Sequence, residues 1–111
     1  MIVDDIGFNI DSIKIILKYS AKINTDQICD KAFNGEQALE IIKYEAFKNN
    51  KKNNYELILM DCNMPVMDGY EATDLIRNFM YENNLEQPII IGVTGHTEKS
   101  YVNKAINSGM N

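Results

Sequence analysis

Two cysteines, Cys29 and Cys62, are all the sulfhydryl groups in 111 residues. No secretory leader precedes them, so a disulfide framework is excluded and a reducing, cytoplasmic compartment is expected. No apolar run approaches the ~18 residues that a membrane span requires. The chain itself should therefore make no membrane contact, although a larger parent protein could still be membrane-anchored. Basic charge is also scarce: 11 Lys and Arg stand against 16 Asp and Glu, a net charge of −5. That balance excludes the basic patch of a nucleic-acid binder and suits a site built from carboxylates. The length allows one domain rather than two.

What is present is an alternation of short apolar runs and helical patterns. Met1-Ile2-Val3 runs into Asp4-Asp5, a buried strand delivering acids to its end. After Gly7, Ile10, Ile13, Ile16 and Leu17 recur at helical spacing, with Asn9 as the expected N-cap. Asn24 to Asp26 reads as a turn and Gln27 to Phe33 as a short strand. Asn34 caps a helix whose apolar stripe is Ala38, Leu39, Ile41, Ile42 and Ala46. Lys48 to Asn54, with Lys51-Lys52, reads as a solvated loop. Tyr55 to Met60 is an apolar strand, and Leu57-Ile58-Leu59-Met60 is continuous enough to predict cover on both faces. Asp61 ends it. Pro65 and Gly69 punctuate a loop, and a helix follows from Tyr70 to Tyr81, with Ala72, Leu75, Ile76 and Phe79 inward. Ile89 to Thr94 predicts another buried strand. The spacing predicts a last helix over Glu98 to Asn107, closed by Gly109.

Strand and helix thus alternate four times, which predicts an α/β doubly wound parallel sheet. Chemistry in such sheets gathers at the carboxyl ends of the strands. Asp4, Asp5, Asp61 and Thr94 all fall there. Two carboxylates ~4 Å apart repel by about 4 kcal/mol at an effective dielectric near 20, so either one stays protonated or a cation neutralises them. All-oxygen ligands select Mg²⁺ or Ca²⁺, and Mg²⁺ takes only one or two carboxylates together with a phosphate. A carboxylate beside Mg²⁺ can serve as nucleophile and form an aspartyl phosphate, with the Thr94 hydroxyl placed to bond a phosphoryl oxygen. Each mark taken singly has a blander reading. An Asp-Asp pair caps or turns the chain, Asp68-Gly69 is a turn, and Thr94 is a satisfied hydroxyl. His96 is a surface residue, Cys62 a small buried side chain, and Met64 and Met67 are packing residues.

The segment Glu56-Leu57-Ile58-Leu59-Met60-Asp61-Cys62-Asn63-Met64-Pro65-Val66-Met67-Asp68-Gly69-Tyr70-Glu71-Ala72 is more specific. It resembles the phosphorylation-site signature of response-regulator receiver domains. Asp4-Asp5, Asn34-Gly35-Glu36-Gln37-Ala38-Leu39 and Val93-Thr94-Gly95-His96 fall in family order around it. The wording Met-Asp-Cys-Asn-Met-Pro and the triplet Thr-Gly-His are most similar to receivers of hybrid sensor histidine kinases. The resemblance implies a flavodoxin-like sheet of order 2-1-3-4 and a Mg²⁺ cofactor. It makes Asp61 the phosphoacceptor, with Asp5 and Asp61 holding Mg²⁺ directly and Asp4 mainly through water. The backbone carbonyl of Asn63 would complete the metal shell. Thr94 would bond the phosphoryl group, Asn63 and His96 would modulate its hydrolysis, and Pro65 and Gly69 would shape the loop. Gly95 stands where the family usually has Ala.

The family carries a fifth strand with a Lys-Pro pair and then a fifth helix. The expectation from the resemblance is a receiver over residues 1–111, truncated at both ends and poorly competent without that Lys; Lys99 and Lys104 do not match it. Three functions compete. The first is a receiver in a His-to-Asp phosphorelay, not itself an enzyme, partnered by a histidine kinase or histidine phosphotransfer domain. The second is a degenerate receiver acting as a phosphorylation-independent interaction module. The third is a Mg²⁺-dependent phosphohydrolase, opposed by Asn63 standing where a general acid would be needed.

Overall fold

The computed structural model describes residues 1–50 and 52–111. In chain order the elements are β1 (Ile2–Val3), α1 (Gly7–Ser20), α2 (Thr25–Ile28), β2 (Lys31–Ala32), α3 (Gly35–Lys48), β3 (Leu57–Asp61), α4 (Gly69–Glu82), β4 (Ile89–Val93) and α5 (Lys99–Asn107). The strands form one parallel sheet in the order β2-β1-β3-β4, the predicted doubly wound arrangement. The crossover from β1 to β2 runs opposite to those leading to β3 and β4. Right-handed connections therefore place α1 on one face of the sheet and α3 and α4 on the other.

The main core lies on the α3/α4 face. Val3, Ile58, Met60 and Ile90 come from the sheet, Ala38, Ile42 and Ala46 from α3, and Ala72, Ile76 and Met80 from α4. Two caps set where those helices start. Asn34 Oδ1 accepts the Gln37 N–H at 2.7 Å, and Asp68 Oδ1 accepts the Glu71 N–H at 2.8 Å. Gly109 closes α5 with φ +103°, a conformation that favours glycine. Arg77 of α4 then ties that turn down, donating to the carbonyls of Gly109 and Pro88 and to Asn111 Oδ1.

Several expectations require correction. Gln27 and Ile28 belong to the helical turn α2, and only Lys31–Ala32 pairs with β1. Asn9 does not cap α1: the cap position is Ile6, and Asn9 lies inside the helix. Ile16 is 59% exposed, and Ile10 alone is buried on α1, because this single helix covers little of its face. For the same reason β3 and β4 are covered on one face only. Ile58, Met60 and Ile90 are fully buried, whereas Leu57, Ile89, Ile91 and Val93, which point the other way, are exposed. Lys48 ends α3 rather than beginning a loop, and Lys51 lies outside the described residues. Among the described residues no helix is long and apolar enough to cross a membrane.

Candidate functional site

The parallel register brings the strand ends together. Val3 pairs with Met60, so Asp4 and Asp5 leave β1 beside Asp61, the last residue of β3. One carboxylate oxygen from each of Asp4, Asp5 and Asp61 lies within 4.8 Å of the others. Asp4 is buried, Asp61 is half-buried and Asp5 faces solvent. Neutral donors already engage Asp4: its Oδ1 accepts the Ile6 N–H at 2.9 Å, and the Asn9 amide reaches both of its oxygens. Burial, above all, raises the pKa of Asp61, and the charges of Asp4 and Asp5 raise it further, while the Asn63 N–H on its Oδ1 at 3.2 Å opposes them. No salt bridge reaches the three acids among the described residues. Three hard oxygen donors that repel one another, one of them solvent-facing, fit a small divalent cation such as Mg²⁺.

The loop after Asp61 is held against the strand end. The Gly69 N–H donates to the Cys62 carbonyl at 3.2 Å, and a Cβ on Gly69 would lie 2.1 Å from the Asp61 carbonyl oxygen. No other residue type fits there without moving the backbone that carries Asp61. Between them, Met67 N–H donates to the Pro65 carbonyl at 2.8 Å across Val66, which adopts φ +70°. That conformation is uncommon for any side chain and strained for a β-branched one. Cys62 is buried against Gly92, and burial pushes its thiol pKa up. Met64 is buried and Met67 packs against the core.

Thr94 and His96 sit on the neighbouring strand end. Asp61 pairs with Val93, so Thr94 is the next residue beyond the partner of Asp61. Its Oγ1 accepts the His96 N–H at 3.1 Å. The His96 ring is held on the α5 side, stacked on Tyr101 at 4.3 Å and 3.8 Å from a Glu98 carboxylate oxygen. Lys104 lies over the Tyr70 ring at 4.5 Å. The sequence pattern gave no sign of the Asn9–Asp4 contact, because Asn9 matched a capping position and the bond runs from helix to strand end.

A sequence model described as the response regulator receiver domain matches residues 1–111. Hybrid signal transduction histidine kinase B of Dictyostelium discoideum is 34% identical over 119 residues, covering 100% of this chain and 5% of that protein. Hybrid signal transduction histidine kinase F of the same organism is 39% identical over 105 residues, covering 91% of this chain and 8% of that one. Among solved structures, the receiver domain of the histidine kinase CKI1 from Arabidopsis thaliana, complexed with Mg²⁺ and BeF₃⁻, superposes with TM-score 0.77 at 26% identity. It covers 98% of this chain and 74% of its own. A chain of the complex between the Saccharomyces cerevisiae histidine phosphotransfer protein Ypd1 and the receiver domain of its downstream response regulator Ssk1 gives TM-score 0.78 at 30% identity, covering 99% and 72%.

Proposed function

Since the chain belongs to the response-regulator receiver family, we propose that Asp61 accepts a phosphoryl group from a phosphohistidine, with Mg²⁺ held at the acidic strand ends. The module is a receiver of two-component signalling, of the kind carried by hybrid histidine kinases. The observation that carries the finer reading is the meeting of Asp4, Asp5 and Asp61 at the ends of two adjoining strands, β1 and β3, with the Asp61 carboxyl raised in pKa by burial and by its two neighbours.

Asp5, exposed and with no hydrogen-bond donor on it among the described residues, would hold the ion directly together with Asp61 and the Asn63 carbonyl. Asp4, whose oxygens already accept from Ile6 and Asn9, would reach it through water. Bound Mg²⁺ supplies the charge neutralisation that lets a carboxylate approach an anionic phosphoryl group. An Asp61 oxygen attacks phosphorus in line, the P–N bond breaks, and its electron pair leaves on the histidine nitrogen, which takes up a proton. Thr94 is one residue along from the partner of Asp61, and its hydroxyl, which donates to no acceptor among the described residues, would donate to a phosphoryl oxygen. Asn63 and His96 modulate the lifetime of the product, while Pro65 and Gly69 shape the loop that orients Asp61. The donor is a histidine kinase or a histidine phosphotransfer domain, and no enzymatic turnover is assigned to the chain itself.

A second reading, an interaction module that works without phosphorylation, draws on one observation: among the described residues no cation pairs with the triad, and Lys104 is engaged with Tyr70. Incubation with a small phosphodonor separates the two. The first reading predicts Mg²⁺-dependent incorporation of base-labile phosphate, abolished by chelation and by Asp61→Asn. Absence of incorporation with partner binding retained would favour the second.

A further inference from the structure

Asn9 sits in the first turn of α1, and its side chain reaches back toward the end of β1, as helical side chains lean over the turn that precedes them. Its amide nitrogen lies 3.4 Å from Oδ1 and 3.3 Å from Oδ2 of Asp4. A carboxylate only accepts hydrogen bonds, so the carboxamide presents its NH₂ group here. The second donor is the Ile6 N–H, which reaches Oδ1 alone. Asp4 is 5% exposed, no salt bridge reaches it, and Oδ2 has no donor besides Asn9, among the described residues. The position of Oδ2 therefore depends on Asn9.

We propose that Asn9 is a positioning residue for the divalent cation: by bridging both oxygens of Asp4 it fixes the plane of that carboxylate, and so sets how tightly the triad holds Mg²⁺. The inference rests on the reading of Asp4, Asp5 and Asp61 as a Mg²⁺ site. Without the bridge, the carboxylate keeps one donor on Oδ1 and can rotate about its Cβ–Cγ bond. The metal, or the water between metal and Asp4, must then restore the orientation, and binding weakens. A residue that merely anchored α1 to the strand end would instead lower stability without regard to Asp4.

A mutant cycle separates the two roles. Mn²⁺ binding, followed by electron paramagnetic resonance, and Mg²⁺ binding, followed by calorimetry, are compared in the wild-type chain, Asn9→Leu, Asn9→Ala, Asp4→Asn and the double variants. Leu preserves the shape of Asn, and Ala is the better helix former, so neither disfavours α1 through its own conformation. The expected result is about 10-fold weaker binding in both Asn9 variants, the low end for loss of a ligand's supporting hydrogen bond. In the Asp4→Asn background the same changes should alter affinity by less than about 2-fold, because the contact they remove is already lost. Equal losses in both backgrounds, or unchanged affinity in a protein whose wild type binds, would overturn the proposal. Melting of the metal-free proteins reports folding: unfolding of both Asn9 variants would make Asn9 a structural residue and also overturn it. If the wild type binds neither ion saturably, the Mg²⁺ reading itself fails.

Discussion

Asp61 is less readily ionised in the folded chain than in the unfolded one, because burial and then the charges of Asp4 and Asp5 oppose its charge. Between the two pKa values the native state binds more protons than the unfolded state. Its metal-free stability should thus rise as pH falls through the raised native pKa, and this contribution should level off near the unfolded value of about 3.9. Replacing the charge should stabilise the metal-free chain: Asp61→Asn is expected to gain about 1 kcal/mol after solvent screening, several degrees in Tm at neutral pH. The variant should also lose this part of the acid dependence and respond less to Mg²⁺. Calorimetry between pH 4 and 8 checks it, and an unchanged or lower Tm would mean the triad is not repulsive. Gly69 is constrained by space rather than charge. A Cβ there would meet the Asp61 carbonyl oxygen at 2.1 Å and Cys62 Cα at 2.9 Å, backbone atoms that cannot swing aside. Gly69→Ala should cost about 3 kcal/mol by urea denaturation and displace Asp61. The positions of Asp4, Asp5 and Asp61 were legible in the sequence because each ends an apolar run. The Asn9–Asp4 contact was not, since nothing in a local pattern records a bond between a helix turn and a strand end.

At the scale of elements, the starts of α3 and α4 decide how the site loops are held. Asn34 and Asp68 each satisfy an otherwise unpaired helix N–H, and Gly35 N–H donates to the Met67 carbonyl, linking the head of α3 to the loop before α4. Asp68→Ala should cost about 1 kcal/mol and loosen the turn between Asp61 and α4. Amide hydrogen exchange should show faster exchange of the Glu71 N–H with the core unchanged; unaltered exchange would mean the cap is dispensable. Asn34 was readable as a cap because Gly35 and a clear helical stripe follow it. Asp68-Gly69 read only as a turn, and the cap emerged with the fold. The four-residue helix α2 was hidden because Thr25 to Ile28 is too short to display a period. Helical spacing in α1 correctly located the helix but not its burial: Ile15 and Ile16 lie on a face that nothing among the described residues covers.

At the scale of the whole molecule, the two faces of the sheet differ. One carries the core with α3 and α4. The other carries α1, with Ile2 of the sheet and Ile10 of the helix buried between them and Leu57, Ile89, Ile91 and Val93 open beside it among the described residues. Alternating side chains along β3 and β4 explain the division, and an unbroken apolar run could not reveal it. β4 is also the edge of the sheet, partly shielded where Asn111 exchanges hydrogen bonds with Ile90. An apolar face beside an edge strand favours self-association. Sedimentation velocity should therefore show concentration-dependent association that Ile91→Lys suppresses without unfolding the chain; a monomer at every concentration would contradict this. The chemistry is assigned to the acidic carboxyl ends of the strands. The central claim there is that Asp61 carries the phosphoryl group. Its most direct test is to treat the chain with Mg²⁺ and a small phosphodonor, reduce any acyl phosphate with borohydride, and map the product by mass spectrometry. The account predicts homoserine at position 61 alone, absent without Mg²⁺. Homoserine at another aspartate, with Asp61 unmodified, would contradict it.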